Sequence, residues 1–405
     1  MPYPSPSSPY PDSAPPPGYA AYPPPAYGAY PPPAYGGYPP PGHYPPPGHY
    51  PPPGPLMPYA YPAPYGPPQH LRPARPSALP DGPRDYQSML RGPRHRWWRP
   101  LVSLLLVVVL AVPMMLLVSV PVVLAGVIAG VDDPVAWIGR QLEGDLSGPA
   151  GFGYLLLSLA VLIPAAMWAN WIAHGVRPRF LTSVVGGTRW GWGLRCVLTL
   201  LPIWALYLGI SMIIGYDLAP PPPQWGLLLA LAVVVMPFQA AGEEYLFRGW
   251  ILQNVGSWFR RPVVGLVVGT VVSAGLFAMA HGSLDVWVLA DLAAMAVTVC
   301  VLTWRTGGLE AAVALHAVNN VGVSIVSIGT GTWAESFVDT STTSTPGVFA
   351  ISLLVDLVAL ALIWWQASRA GIARRYLPEV PPALYATGAP ALPPALSPPV
   401  RPSGP

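Results

Sequence analysis

The chain has 405 residues, of which 52% are hydrophobic and only 9% charged. That charge content lies far below the roughly 25% of soluble domains, so a soluble globular protein is excluded and the long apolar runs point to an integral membrane protein. A net charge of +3 is too small to argue for nucleic acid, and Cys196 and Cys300, far apart inside apolar runs, argue against a disulfide framework or a cysteine metal site.

Residues 1–96 read as a cytoplasmic tail rich in Tyr, Pro and Gly. Tyr22 and Tyr30 open eight-residue Tyr-Pro-Pro-Pro-Ala-Tyr-Gly units, and Tyr38 and Tyr44 open six-residue Tyr-Pro-Pro-Pro-Gly-His units. Such tracts bury no core and are expected to be disordered with polyproline II character, a solvated arm or a ligand for cytoplasmic Pro-binding partners. His43 and His49 belong to this repeat rather than to a metal site. No secretory signal peptide is visible, because the first apolar run begins only after about a hundred residues.

Arg72 to Arg99 form a basic approach that ends in Trp97-Trp98-Arg99. A transmembrane domain over 97–370 follows, with eight helices expected near 101–128, 152–173, 193–214, 225–252, 262–282, 285–304, 308–328 and 347–366. Pro113 and Pro121 are expected to bend the first. The turns carrying Arg177, Arg179, Arg189, Arg260, Arg261, Arg305, Arg369, Arg374 and Arg375 alternate with turns carrying Asp132, Asp133, Glu143, Asp145, Asp217, Asp285, Glu335 and Asp339. By the positive-inside rule both termini are cytoplasmic, Trp97/Trp98 and Trp364/Trp365 sit as interfacial anchors, and the protein lies in the cell membrane. Residues 371–405 form a second Pro-rich tail. The fold class is all-α, a polytopic bundle of about eight spans.

Polar residues inside the spans are few. Gly242-Glu243-Glu244-Tyr245-Leu246-Phe247-Arg248-Gly249 follows a run of Leu, Ala and Val, so two carboxylates sit at membrane depth, where a charge costs roughly 2.5–3.5 kcal/mol on insertion scales. Arg248 is one turn from Glu244 and is expected to form a structural ion pair with it. Glu243 points about 100° away and has no local partner. His281 ends Phe277-Ala278-Met279-Ala280-His281, and His316 lies one turn before Asn320. If the fourth and fifth spans reverse near Arg260-Arg261-Pro262, His281 falls within a turn of the depth of Glu243. A carboxylate and a histidine in a dry site can activate water, and His316 with Asn320 can donate to an oxyanion. Glu243, His281 and His316 can equally hold a divalent metal such as zinc. Phe277 reads as packing beside His281, Asn319 as pointing away from the His316/Asn320 face, and Glu310 as solvated at the inner edge. Asp291, near the outer boundary, is read as reaching water, and the deeper Asp356 as marking a polar cavity.

Glu-Glu-x-x-x-Arg, Phe-x-x-x-His and His-x-x-x-Asn, in this order over about residues 190–330, resemble the CPBP family, the CAAX-protease and bacteriocin-processing group that includes the type II CAAX prenyl endopeptidase. The resemblance implies an intramembrane endopeptidase, often called a metalloprotease, acting on a membrane-embedded peptide or protein. It assigns water activation to Glu243 with His281, and the oxyanion site to His316 and Asn320, with Glu244 beside them. Two readings from other classes stand next to it: a non-catalytic scaffold or bacteriocin-immunity protein using the same polar cavity, and a proton-coupled transporter using Glu243 and Asp356. The absence of His-Glu-x-x-His, Gly-x-Ser-Gly and Gly-x-Gly-Asp disfavours other intramembrane protease types.

Overall fold

The computed structural model describes residues 76–142, 148–215 and 218–378. The Tyr/Pro repeats, Glu143, Asp145, Asp217 and residues 379–405 lie outside the described residues. The helices are α1 Arg99–Ile128, α2 Pro134–Leu142, α3 Pro149–Ala160, α4 Leu162–His174, α5 Arg179–Thr182, α6 Trp190–Gly215, α7 Trp225–Val234, α8 Met236–Glu244, α9 Leu252–Ser257, α10 Pro262–Ala280, α11 Val286–Thr306, α12 Glu310–Thr330 and α13 Pro346–Arg369. A π-helical segment, Tyr245–Ile251, joins α8 to α9. The two-residue strands β1, Arg84–Asp85, and β2, Arg375–Tyr376, pair antiparallel.

Seven helices or helix pairs are long and apolar enough to span a membrane, and the bent pair Trp225–Val234 with Met236–Ser257 makes an eighth. The protein is a multi-pass membrane protein with an all-α fold. These segments are helical because an apolar environment offers no water to the backbone, so each N–H and C=O must be satisfied within its own segment. Helix ends follow local chemistry. The Asp285 carboxylate accepts from the backbone N–H of Trp287 and Val288 at the start of α11. Gly307 ends that helix at φ +63°, and a side chain there would meet the carbonyls of Ala373 and Arg374.

Burial separates centre from rim. The apolar stretch of α12 is 56% buried, against 17% in α1 and α13. So α12 is the central helix, packed on α6, α7, α8 and α11. Leu104, Leu105, Leu116 and Leu117 of α1 and Ile351 and Leu354 of α13 stay exposed, the surface a lipid phase covers.

Hydrogen bonds collect the arginine-bearing turns at one end. Arg91 donates to Ser257 O at 2.6 Å, Arg99 to His174 O at 3.1 Å, and Arg189 to Thr306 O at 2.8 Å. The opposite end gathers Phe152, Trp333 and Phe337 in one aromatic cluster, with Ser344 N–H donating to the Asp285 carboxylate.

The proline-containing first span is one continuous helix. Three expectations change. Packed structure is present before residue 97: Tyr86, Met89 and Leu90 are fully or almost fully buried, and the Tyr86 hydroxyl donates to Leu181 O. In the C-terminal segment, Arg374 and Arg375 hold Asp85 at 3.2 and 2.9 Å. Glu310 is buried rather than solvated, because Arg189 grips both of its oxygens, at 2.8 and 2.6 Å; the bidentate fork offsets the loss of water.

Candidate active site

The polar residues sit where α8 and α12 cross the interior side by side, antiparallel. Three steps one turn apart set the register. Ser324 lies against Met236 Sδ at 3.4 Å, Asn320 donates to Gln239 Oε1 at 3.2 Å, and His316 reaches Glu243 and Glu244. As α8 advances by about one turn, α12 retreats by about one turn, which places Gln239 opposite Asn320 and Glu243 and Glu244 opposite His316.

Two features of the fourth span aim its carboxylates. The helix bends by 40° at Val235, where Pro237 supplies no N–H for a regular ladder. Gly242 then brings α8 onto the end of α3, so closely that a Cβ there would lie 2.0 Å from Leu159 O. Directly after Glu244 the helix widens into the π segment, a distortion frequent at functional sites. Phe247 O, within it, accepts from Ser273 Oγ of α10 at 3.0 Å.

Glu244 and Arg248 are both wholly buried and paired at 2.9 Å, as expected from their spacing. The same Glu244 Oε1 also takes a hydrogen bond from His316 Nδ1 at 2.8 Å. Because a carboxylate only accepts, His316 Nδ1 carries a hydrogen, and Nε2 is turned to Glu243 Oε2 at 3.4 Å. That separation is longer than a good hydrogen bond, and Glu243 Oε2 is buried without a hydrogen-bond partner among the described residues. Glu243, without a local partner in sequence, therefore gains His316 from a distant helix.

His281 caps the C-terminus of α10. Its Nδ1 donates to Phe277 O at 2.8 Å, which leaves Nε2 as an acceptor. No hydrogen bond or ion pair joins it to either glutamate among the described residues. The link is Phe277, fully buried as a packing residue should be. Its ring lies 4.7 Å from His281, 5.7 Å from His316 and 4.2 Å from the Arg248 guanidinium, all by ring centroid. Phe247 meets Phe277 edge-on at 5.3 Å, the register expected for α10 folding back at Arg260–Pro262.

Asn319 does not simply pack away from the site. Trp204 Nε1 donates to Asn319 Oδ1 at 3.1 Å, and Asn319 Nδ2 donates to Asn320 Oδ1 at 3.1 Å. With Gln239 on its other side, Asn320 is held with Oδ1 toward Asn319 and one N–H committed to Gln239, leaving one N–H uncommitted. Gln239 was missed by the sequence reading, although it stands one turn before Glu243 in an otherwise apolar run.

The zinc-type ligand set of Glu243, His281 and His316 is not assembled in this structure. Among the described residues no group of three or more His, Cys, Asp and Glu is arranged to hold a metal ion. His281 lies apart from both glutamates, with its Nδ1 on Phe277 O, while His316 Nδ1 and Arg248 share Glu244 Oε1. The residues do not fit a metal in this arrangement. Asp356, 4% exposed, and Asp291 lie on α13 and α11, outside this cluster.

Residues 224–322 match the family described as "Type II CAAX prenyl endopeptidase Rce1-like". The chain is 32% identical over 101 residues to the uncharacterised protein YyaK of Bacillus subtilis (strain 168), an alignment covering 23% of this chain and 32% of that relative. The chain thus spans about a third of the length of the relative it matches. No solved structure matches.

Proposed function

We propose that this chain, whose residues 224–322 match the Rce1-like type II CAAX prenyl endopeptidase model, is an intramembrane endopeptidase whose attacking water is activated at Glu243. The observation that carries the reading is the buried Glu243 Oε2, without a hydrogen-bond partner among the described residues, facing His316 Nε2 at 3.4 Å. Glu243 takes a proton from water as hydroxide adds to the scissile carbonyl. The oxyanion then accepts from His316 Nε2–H, present when the ring is doubly protonated, and from the uncommitted Asn320 Nδ2–H. Glu243 returns its proton to the leaving amine as the C–N bond breaks, and the carboxyl product leaves without a covalent intermediate. Glu244 and Arg248 orient His316. His281, held by Phe277 O, packs on the Phe277 ring at the edge of the site.

The arrangement differs from the division of labour that the resemblance implies, since His316 rather than His281 adjoins Glu243. No step runs through a metal. The substrate class is a membrane-associated or CAAX-like peptide, cleaved in the cell membrane with both termini of the enzyme cytoplasmic.

The test is quantitative peptidomics of membranes from cells expressing wild type or Glu243→Gln at matched levels, followed by cleavage of the fragment-yielding substrate in nanodiscs. Losing a general base should lower the rate by about 10²–10⁴, and chelator should leave wild type unchanged. Identical fragment sets from the two strains would sink the protease reading.

A further inference from the structure

A groove opens where α6 meets α13 at the arginine-rich end, and a second, shallower hollow adjoins it on the face of α13. One, of about 510 Å³, lies between Leu194, Arg195 and Leu198 of α6 and Trp365 and Arg369 of α13. The other, of about 560 Å³, runs along α13 past Leu357, Leu360 and Ala361. Trp365 walls both. The grooves face outward: Leu194 and Leu198 are each 60% exposed, and Leu357 49%. In a membrane protein such a surface meets acyl chains rather than water.

What sets the first groove apart is that two arginines line one concave, largely apolar surface. Arg189 is spent on Glu310, and Arg374 and Arg375 on Asp85. Neither Arg195 nor Arg369 has a carboxylate partner among the described residues. Arg369 lies over the Trp365 ring at 5.0 Å, which holds its guanidinium at the groove mouth. Gln366 donates to Thr199 Oγ1 at 2.8 Å and so ties the two helices behind the first groove, while its buried Oε1 has no partner. At the second groove, Ser368 is held by Arg305 Nη2 at 2.5 Å, a third cation with its guanidinium over Trp364.

We propose that these grooves form a binding site for an anionic phospholipid, its phosphate held by Arg195 and Arg369 and one acyl chain seated on each side of Trp365. Arginine forks match phosphate oxygens, and two cations without counter-charge at a membrane interface favour a lipid with net negative charge over a zwitterionic one. The site is remote in sequence from Glu243 and stands whether or not the chain is a protease.

Native mass spectrometry of the full chain in detergent, with phosphatidylglycerol or phosphatidylcholine added at equal mole fraction, tests it. Wild type should retain phosphatidylglycerol roughly tenfold more than phosphatidylcholine. Arg195→Gln with Arg369→Gln should abolish that preference, whereas Arg260→Gln with Arg261→Gln, which removes the same charge at another turn, should keep it. Ala361→Phe fills the second groove with both arginines intact and should also lower retention, so the proposal stays testable if the double arginine variant fails to fold. Equal loss in the two arginine pairs would reduce the effect to surface charge and overturn the site. Undiminished retention in Ala361→Phe would overturn it too. Displacement of the lipid by equimolar glycerol phosphate would assign the grooves to a soluble phosphate instead.

Discussion

Arg248 shows how much a single buried residue is asked to do. It neutralises Glu244 at 2.9 Å and lays its guanidinium on Phe277 at 4.2 Å, in a site with no exposure to solvent. Arg248→Met would leave Glu244 buried with only His316, and breaking a buried pair from one side costs about 3–5 kcal/mol. We expect a marked fall in melting temperature by scanning fluorimetry in detergent; an unchanged melting temperature would show that Glu244 keeps its charge without the arginine. Asn319 acts more lightly, by holding the amide of Asn320 through one hydrogen bond while Trp204 holds it in turn. Asn319→Ala should lower kcat by about 10- to 100-fold with little change in KM, because an oxyanion donor is used only in the transition state. A rise in KM alone would instead place Asn319 in substrate binding.

At the scale of elements, the bent and widened fourth span decides where the carboxylates point. Its close approach to α3 depends on Gly242, whose missing Cβ makes room for Leu159 O. Gly242→Ala must push α8 away from α3, and the neighbouring Glu243 moves with it. A displacement of about 1 Å costs on the order of 10²-fold in rate. Cleavage should therefore fall by that order while the protein still inserts and elutes as a folded species. Wild-type activity in Gly242→Ala would mean that the end of α3, broken from α4 at Val161, yields without disturbing the site.

Over the whole molecule, the segment before α1 is a clasp rather than a free leader. Tyr86 is fully buried beneath the bundle with its hydroxyl on Leu181 O, and β1 pairs with β2 across the length of the chain. Burial holds the Tyr86 hydroxyl well above the ordinary tyrosine range, with Tyr245 and Glu310 adding to the effect. The folded state thus keeps a proton that the unfolded chain releases near pH 10, so stability contributed by this group is intact below about pH 10 and declines above it. Tyr86→Phe should remove part of the alkaline loss seen in thermal melts. It should also lower stability at pH 7 by about 1–3 kcal/mol, since Leu181 O loses its donor. Parallel alkaline profiles for variant and wild type would exclude Tyr86 as the source.

The sequence alone was enough for the membrane class, the positions of the eight spans and the i,i+4 pairing of Glu244 with Arg248, because apolar length and helical period are local properties written along the chain. Tertiary structure decided what depends on which helices touch. Helix α12, running antiparallel to α8, brought His316 to both glutamates and Asn320 to Gln239, and it left His281 behind Phe277 rather than on Glu243. The π segment, the burial of Glu310 under Arg189 and the Tyr86 clasp were equally invisible. Each arises from a partner 95 or more residues away or from a backbone distortion that packing imposes, and no periodicity in a single segment reports either.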